Sequence, residues 1–259
     1  MSGSAYQDQR VVVTGAGGGI GAALAHRFAA EGATVVVNDL DAAKAASVAG
    51  AIAATGARAI AVPGDASAVV GEAREALGGT VDVYCANAGL ASGGDAFADE
   101  AVWEAAWDTN VMAHVRAARA LLPDWLERGS GRFVSTVSAA GLLTMIGAAP
   151  YSVTKHGALA FAEWLSLTYR HRGVQVHAIC PQGVRTDMLT ASGSAGELVL
   201  APTAIEPETV AEALFDGMEK GRFLILPHPE VARFHAARAA DPEQWLRGMN
   251  RLQRTWEGS

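Results

Sequence analysis

Cysteine is scarce in this chain: there are two in 259 residues, Cys85 and Cys180, each inside an apolar run. That excludes a disulfide-stapled secreted scaffold and predicts buried free thiols in a reducing compartment. The seven histidines show no paired ligand spacing, so a metal site has no support. Basic charge is also short. Twenty Lys and Arg stand scattered against 27 Asp and Glu, for a net charge of −7, and no nucleic acid partner is expected. No run of about 18 apolar residues suggests a membrane span. The opening Met-Ser-Gly-Ser-Ala-Tyr-Gln-Asp lacks the apolar stretch of a signal peptide. The expectation is a cytoplasmic protein that engages no membrane. What the chain has in plenty is apolar residues, 50% against 18% charged, which is ample for one sizeable core.

Short β-branched runs alternate with longer Ala-rich segments. Strands are predicted at 10–14, 34–39, 58–62, 81–86, 132–137, 174–179 and 223–226, and helices at 20–31, 41–55, 100–128 and 151–171. Apolar runs this short, without polar alternation, suit strands buried on both faces of a parallel sheet. The alternation predicts an α/β fold: a doubly wound parallel sheet of about seven strands in an α/β/α sandwich, with right-handed crossovers. No linker or repeat divides residues 1–259, so one domain is expected. Two segments break the rhythm. Residues 187–205 form a long connection of the kind used as a lid. The C-terminal extension, about 229–257, contains Asp241-Pro242, a helix start, followed by Trp245, Met249, Leu252 and Trp256 at spacings of four, three and four. That stripe calls for burial, on its own domain or against a neighbouring subunit.

The glycine run Thr14-Gly15-Ala16-Gly17-Gly18-Gly19-Ile20-Gly21 directly follows the first strand and leads into a helix. This is the setting of a Rossmann-type dinucleotide turn, in which backbone approaches a pyrophosphate at a helix N-terminus. Gly15, Gly17, Gly18, Gly19 and Ile20 are the candidate contacts. Asp39, followed by Leu40, ends the second strand eighteen residues past Gly21. A carboxylate there accepts from ribose hydroxyls and repels the additional phosphate of NADP. No Lys or Arg lies in 16–18 or directly after Asp39, so NAD is the expected cofactor. Asp65-Ala66, at the end of the third strand, can hold an adenine amine, cap the next helix, or do both.

Tyr151 and Lys155 stand four apart in Tyr-Ser-Val-Thr-Lys, which puts a phenol and an ammonium one turn apart on one helical face. A phenol works as a base near neutrality only if a neighbouring cation lowers its pKa. With the glycine turn, Asn87-Ala88-Gly89, Asn110, and Ser138 thirteen residues before Tyr151, the chain resembles the short-chain dehydrogenase/reductase family from Thr14 to about Thr186. The resemblance implies a catalytic group of Asn110, Ser138, Tyr151 and Lys155, with Tyr151 as general acid/base and Asn110, through its side chain or a local break in its helix, holding a water that links Lys155 to solvent. It also implies cofactor contacts at Asn87, Ala88, Gly89, Tyr151, Lys155, Pro181, Gly183, Val184 and Thr186, the last holding the nicotinamide carboxamide. Two places depart from the family pattern. Ala86 replaces the first Asn of its strand-four motif, and Gln182 replaces the first glycine after strand six. Gln182 either projects its amide toward the ring or substrate, or points to solvent.

The expected substrate pocket is framed by residues 90–92, 142–145, Gln182 and the lid at 188–200, with Leu90, Leu142, Met145, Gln182 and Met188 as its contacts, and is mostly apolar and uncharged. That predicts a neutral, hydrophobic secondary alcohol or its ketone, such as an alicyclic, aromatic or steroid-like one. An NADPH-dependent 3-oxoacyl-type ketoreductase and a non-catalytic NAD-sensing regulator are the alternatives; Asp39 opposes the first and the intact group of four the second. The resemblance implies a homo-oligomer, tetramer ahead of dimer, formed through helices 100–128 and 151–171.

Overall fold

A computed structural model describes residues 4–190 and 200–258. Its centre is a parallel sheet of β1 (Arg10–Val13), β2 (Thr34–Asp39), β3 (Arg58–Pro63), β4 (Val83–Ala86), β5 (Gly131–Thr136), β6 (Val174–Ile179) and β7 (Leu224–Ile225), in the order β3-β2-β1-β4-β5-β6-β7. The expected seven-stranded doubly wound fold is the one observed. Strand side chains alternate between the two faces. Val11, Val13, Val35 and Val37 therefore join a core with α1 (Gly19–Ala30) and α2 (Ala42–Ala54), while Val12, Val36 and Tyr84 join another across the sheet. Val11, Val12 and Val13 are each 0% exposed, which explains why these strands read as unbroken apolar runs.

Beyond two 3-10 turns (Arg170–Arg172 and Ala201–Thr203), the remaining elements are α3 (Val70–Leu77), α4 (Glu100–Trp107), a π turn (Asp108–Met112), α5 (Ala113–Arg128), α6 (Ala140–Leu143), α7 (Ala149–Tyr169), α8 (Asp187–Thr190), α9 (Pro207–Glu219), α10 (Pro229–Ala240) and α11 (Pro242–Glu257). The helix expected at 100–128 is thus two helices joined at Asn110. Of the lid expected at 187–205, residues 191–199, Leu198 and Val199 among them, lie outside the described residues.

The C-terminal extension is two helices, where the sequence signalled only the second. Asp241 caps α11 by accepting from the Gln244 N–H at 2.8 Å. Its stripe of Trp245, Met249, Leu252 and Trp256 is half-buried, none of it fully. Trp256 lies across Gly147, where a Cβ would meet the indole at 3.1 Å. Cys85 and Cys180 are buried free thiols, as expected. Among the described residues no group of His, Cys, Asp and Glu is placed to hold a metal, and no helix is long and apolar enough to cross a membrane.

Candidate active site

Chain order reverses between β1 and β4, and in such sheets a crevice opens at the strands' C-terminal ends there. The glycine turn fills one side of it. Gly15 and Gly19 have φ of +59° and +51°, a region costly for other residues. A Cβ at Gly15 would stand 2.8 Å from Ala88 Cα, and one at Gly21 would stand 2.2 Å from the Gly15 oxygen. The turn is tied to β4 by side chains: Thr14 Oγ1 accepts from Asn87 N (3.0 Å) and Ala88 N (3.1 Å), and Asn87 Nδ2 donates to Thr14 O at 2.9 Å. Ala86, at the departure from the family's motif, is a buried residue of β4, and the turn beyond it is intact. Gly18 precedes α1, no side chain caps that helix, and nothing would crowd a Cβ at Gly18. Free N–H groups at a helix N-terminus, with open space before them, suit a pyrophosphate.

Asp39 lies at the far end of this cleft. Its Oδ2 accepts from Gly17 N at 2.9 Å and its Oδ1 from Asp41 N at 3.0 Å, so the carboxylate is fixed beside the glycine turn. Lys44, which the sequence reading passed over, lines the same end. Asp41 caps α2 through the Ala43 and Lys44 N–H groups, which puts Lys44 in the first turn, beside Gly17. A Cβ at Gly17 would stand 2.7 Å from Lys44 Cβ. Lys44 Nζ is 3.6 Å from Asp187 Oδ2 on the opposite wall, an exposed pair that adds little stability.

Ser138, Tyr151 and Lys155 line the other end, with Met145, Gln182 and Met188. Lys155 is 3% exposed, donates to the Thr136 oxygen at 2.9 Å, and stands 5.6 Å from the Tyr151 ring centre. Burial disfavours the ammonium and lowers its pKa to about 8. Burial also raises the Tyr151 phenol above its ordinary value, and the hydrogen bond with the Ser138 hydroxyl pulls it back down. The lowering expected from Lys155 is not seen: burial dominates the phenol, opposed by Ser138. Asn110, 0% exposed, sits in the π turn between α4 and α5 and does not line the cleft. Its Oδ1 accepts from Leu90 N at 2.9 Å, while its Nδ2 donates to Leu90 O and to Thr154 Oγ1, each at 3.0 Å.

Pro181, Gln182, Gly183, Val184 and Thr186 form the wall after β6, and Leu189 and Leu200 extend it from the two described ends of the lid. Gln182 is half-buried in this wall, and its Nε2 donates to Thr203 Oγ1 at 3.4 Å in an exposed contact. Several expected contacts lie off the cleft. Leu40 is 79% exposed beyond Asp39. Asp65 and Ala66 lie past β3, where Asp65 accepts from Ser67 N at 2.8 Å; the following helix begins only at Val70, so Asp65 caps a turn and not that helix. Leu90 is 42% exposed, and Leu142 is buried in the core because α6 turns it inward. Ala91, Leu189 and Leu200 line the cleft from the stretches expected to frame it, and Thr136 and Val137 join them unforeseen. The C-terminal ends of parallel strands mark such positions, and Thr136 and Val137 lie at the end of β5.

The short chain dehydrogenase family pattern matches residues 9–196. A 1-deoxy-11-beta-hydroxypentalenate dehydrogenase of Streptomyces exfoliatus is 34% identical over 242 residues, 87% of this chain and 85% of that protein. A ketoacyl reductase, HetN, of a Nostoc species is 32% identical over 79% of this chain and 73% of that protein. Among solved structures, a short chain dehydrogenase/reductase from Burkholderia phymatum in complex with NAD superposes with a TM-score of 0.84 at 27% identity, over 94% of this chain and 96% of that one. One from Sphingobium yanoikuyae in complex with NADPH gives 0.79 at 28% identity, over 90% and 93%. With the glycine turn at the sheet's switch point and Ser138, Tyr151 and Lys155 along the same cleft, the chain belongs to the short chain dehydrogenase family of oxidoreductases.

Proposed function

We propose that this protein is an NAD-dependent oxidoreductase that interconverts a neutral, hydrophobic secondary alcohol and its ketone, with Tyr151 as general acid and base. The observation that carries the reading is that Ser138, Tyr151 and Lys155 share one cleft with the glycine turn and Asp39. The pyrophosphate would lie on Gly17–Gly19 and the α1 N-terminus, the adenosine ribose on Asp39, and the nicotinamide end against Pro181, Gly183, Val184 and Thr186. The coenzyme supplies a hydride acceptor or donor when bound. Ser138 donates to the substrate oxygen and holds it beside Tyr151. In oxidation the Tyr151 oxygen takes the hydroxyl proton; in reduction it returns one to the carbonyl oxygen. The Lys155 ammonium favours the phenolate, and Thr136 O keeps that ammonium in place. Asn110 ties the Leu90 backbone and the Thr154 side chain to the helix break, which shapes the wall behind Lys155.

Met145, Met188, Leu189 and Leu200 give the substrate end an apolar lining, which supports a hydrophobic substrate. One relative acts on a hydroxypentalenate and another is named for ketoacyl reduction, so a bulky alicyclic alcohol and a 3-oxoacyl ketone are the two classes to try first. A single position favours the second reading, NADPH with a ketoacyl substrate: Lys44 stands where it can meet a ribose phosphate if Asp39 yields. Asp39 already accepts from the Gly17 N–H, while the Lys44 ammonium reaches toward Asp187, so NAD is preferred. Measuring turnover of such alcohols and ketones with each coenzyme tests this directly; turnover with NADP(H) alone sinks the NAD assignment.

A homo-oligomer, tetramer before dimer, is part of the proposal, as is work by one domain in the cytoplasm. Trp107 on α4 and Val153, Trp164 and Leu167 on α7 are 45–83% exposed, more apolar surface than one packed face needs. Mass in solution, with and without residues 242–259, tests the assembly and whether α11 bridges subunits.

A further inference from the structure

His228 stands between Pro227 and Pro229 just past β7 and is 2% exposed. The Gln182 N–H donates to its Nδ1 at 3.1 Å, and its Nε2 lies 3.1 Å from the Gly183 carbonyl oxygen. These two contacts fix the ring's proton. A nitrogen that accepts from an amide carries no hydrogen of its own, so Nδ1 is bare, and Nε2 carries the hydrogen it donates to Gly183. The Gly183 oxygen also accepts from Ile205 N at 3.1 Å. Its two lone pairs are thus used by the loop after β7 and by Ile205, which forms an isolated bridge with Val184. Gly183 has no room to move toward the lid side, because a Cβ there would stand 2.3 Å from the Leu200 oxygen.

We propose that His228, as the Nε2–H tautomer, is a positioning residue for the nicotinamide end of the cleft. It gives the Gln182 N–H a buried acceptor and anchors the next carbonyl, and so sets the path of the Pro181–Gln182–Gly183 turn. With that path set, the Gln182 side chain is aimed along the cleft wall toward Thr203. The family pattern has a glycine at this place; a residue with a long side chain needs its backbone held if the side chain is not to swing across the cleft. The inference rests on the reading of the cleft as a nicotinamide coenzyme site, and it goes beyond that reading by assigning the turn's rigidity to a residue 45 positions away.

Three variants of the full chain decide it. His228→Asn keeps an acceptor where Nδ1 was, His228→Gln keeps a donor toward Gly183 but no acceptor for Gln182, and His228→Phe keeps neither. Deuterium uptake at the 182–185 amides of the coenzyme-free protein reads the turn. Fluorescence titration with NADH and with NADPH reads affinity, and turnover at saturating coenzyme reads chemistry. His228→Phe is expected to speed exchange at Gln182 and to weaken the coenzyme about 10-fold, the size of one lost hydrogen bond in a buried site, with saturated turnover within about 3-fold of wild type. His228→Asn is expected to stay within about 3-fold on affinity. If His228→Phe does not fold, His228→Gln takes its part with the same expectation. Wild-type exchange and affinity in the Phe or Gln variant overturns the proposal. So does an Asn variant as impaired as the Phe variant, which would mark His228 as packing only. A wild-type protein that binds neither coenzyme overturns the reading of the cleft and the positioning role with it, while the exchange data still decide whether His228 holds the turn.

Discussion

Lys155 reaches the carbonyl oxygen of Thr136 at 2.9 Å, so its ammonium is anchored to the end of β5 with the Tyr151 ring centre 5.6 Å away. The tether keeps the cation close to the phenol at a fixed distance. Replacing Tyr151 by Phe should cut turnover about 10²–10⁴-fold, the usual worth of a positioned acid or base, and leave coenzyme affinity within a few-fold. Kinetics and a binding titration on the same sample check this; full turnover in the variant would remove Tyr151 from the mechanism.

Alcohol oxidation needs the unprotonated phenol, and burial holds the Tyr151 pKa above its ordinary value. Oxidation should therefore climb with rising pH and ketone reduction should fall. Lys155 is lowered to about 8 beside a protonated phenol, but an ammonium and a phenolate this close hold each other's charge as Tyr151 ionises. Lys155→Met should therefore displace the alkaline limb to still higher pH. pH profiles in both directions test the sign. An unmoved limb would mean that the lysine's role is not electrostatic.

Asp39→Ser should lower the preference for NAD over NADP by about 10-fold or more, since it removes the charge that repels the ribose phosphate and leaves Lys44 beside the vacated place. Adding Lys44→Ala should return much of the lost discrimination. Ratios of kcat/KM for the two coenzymes in the single and double variants give the coupling. Equal effects with and without Lys44 would show that this lysine does not face the ribose.

Asn110→Ala strips partners from both backbone groups of Leu90 and from Thr154 in a buried place. A loss of about 2–3 kcal/mol in urea unfolding is expected, with the slope unchanged. Thr154→Val should cost less, and the double variant little more than Asn110→Ala, because the two share one contact.

Acid should destabilise the fold through two buried histidines. Burial lowers His114 to about 3 and His177 to about 4, against an unfolded value near 6.5. The unfolded chain takes up protons that the folded one refuses, so stability is complete above about pH 6.5 and falls as pH drops toward the folded values. From pH 7 to pH 5 each histidine should cost up to about 2 kcal/mol. Thermal melts across that range, repeated on His114→Gln, check it: the variant's curve should be flatter.

The strands were legible because a triplet such as Val11-Val12-Val13, covered on both faces, leaves no polar alternation to obscure it. The glycine turn, Ser138 and the Tyr151–Lys155 pair were legible because their chemistry depends on spacing along the chain, and spacing survives in sequence. Lys44 was hidden for the opposite reason. It is near Asp39 only because Asp41 starts α2 at once and turns the first helical turn back over the strand end. His228 was hidden by 45 residues of separation from the turn it holds, although any residue just past β7 must lie at the cleft end of the sheet. Leu142 misled because its place in the 138–151 connection suggested the pocket, whereas α6 carries it into the core. The π turn has no compositional mark, since Asp-Thr-Asn-Val-Met could continue a regular helix; only the family resemblance allowed for a break at Asn110.

That wide turn has a further effect on the segment from Glu100 to Arg128. One residue beyond a regular helical turn rotates everything downstream by roughly 100° about the axis. The half carrying Trp107 can therefore show an apolar side outward while the half carrying Leu121 and Trp125 keeps its own side sealed against the sheet. A single-residue deletion there would restore an unbroken rod and force those two orientations into conflict, so the insertion is what lets one length of chain serve two faces.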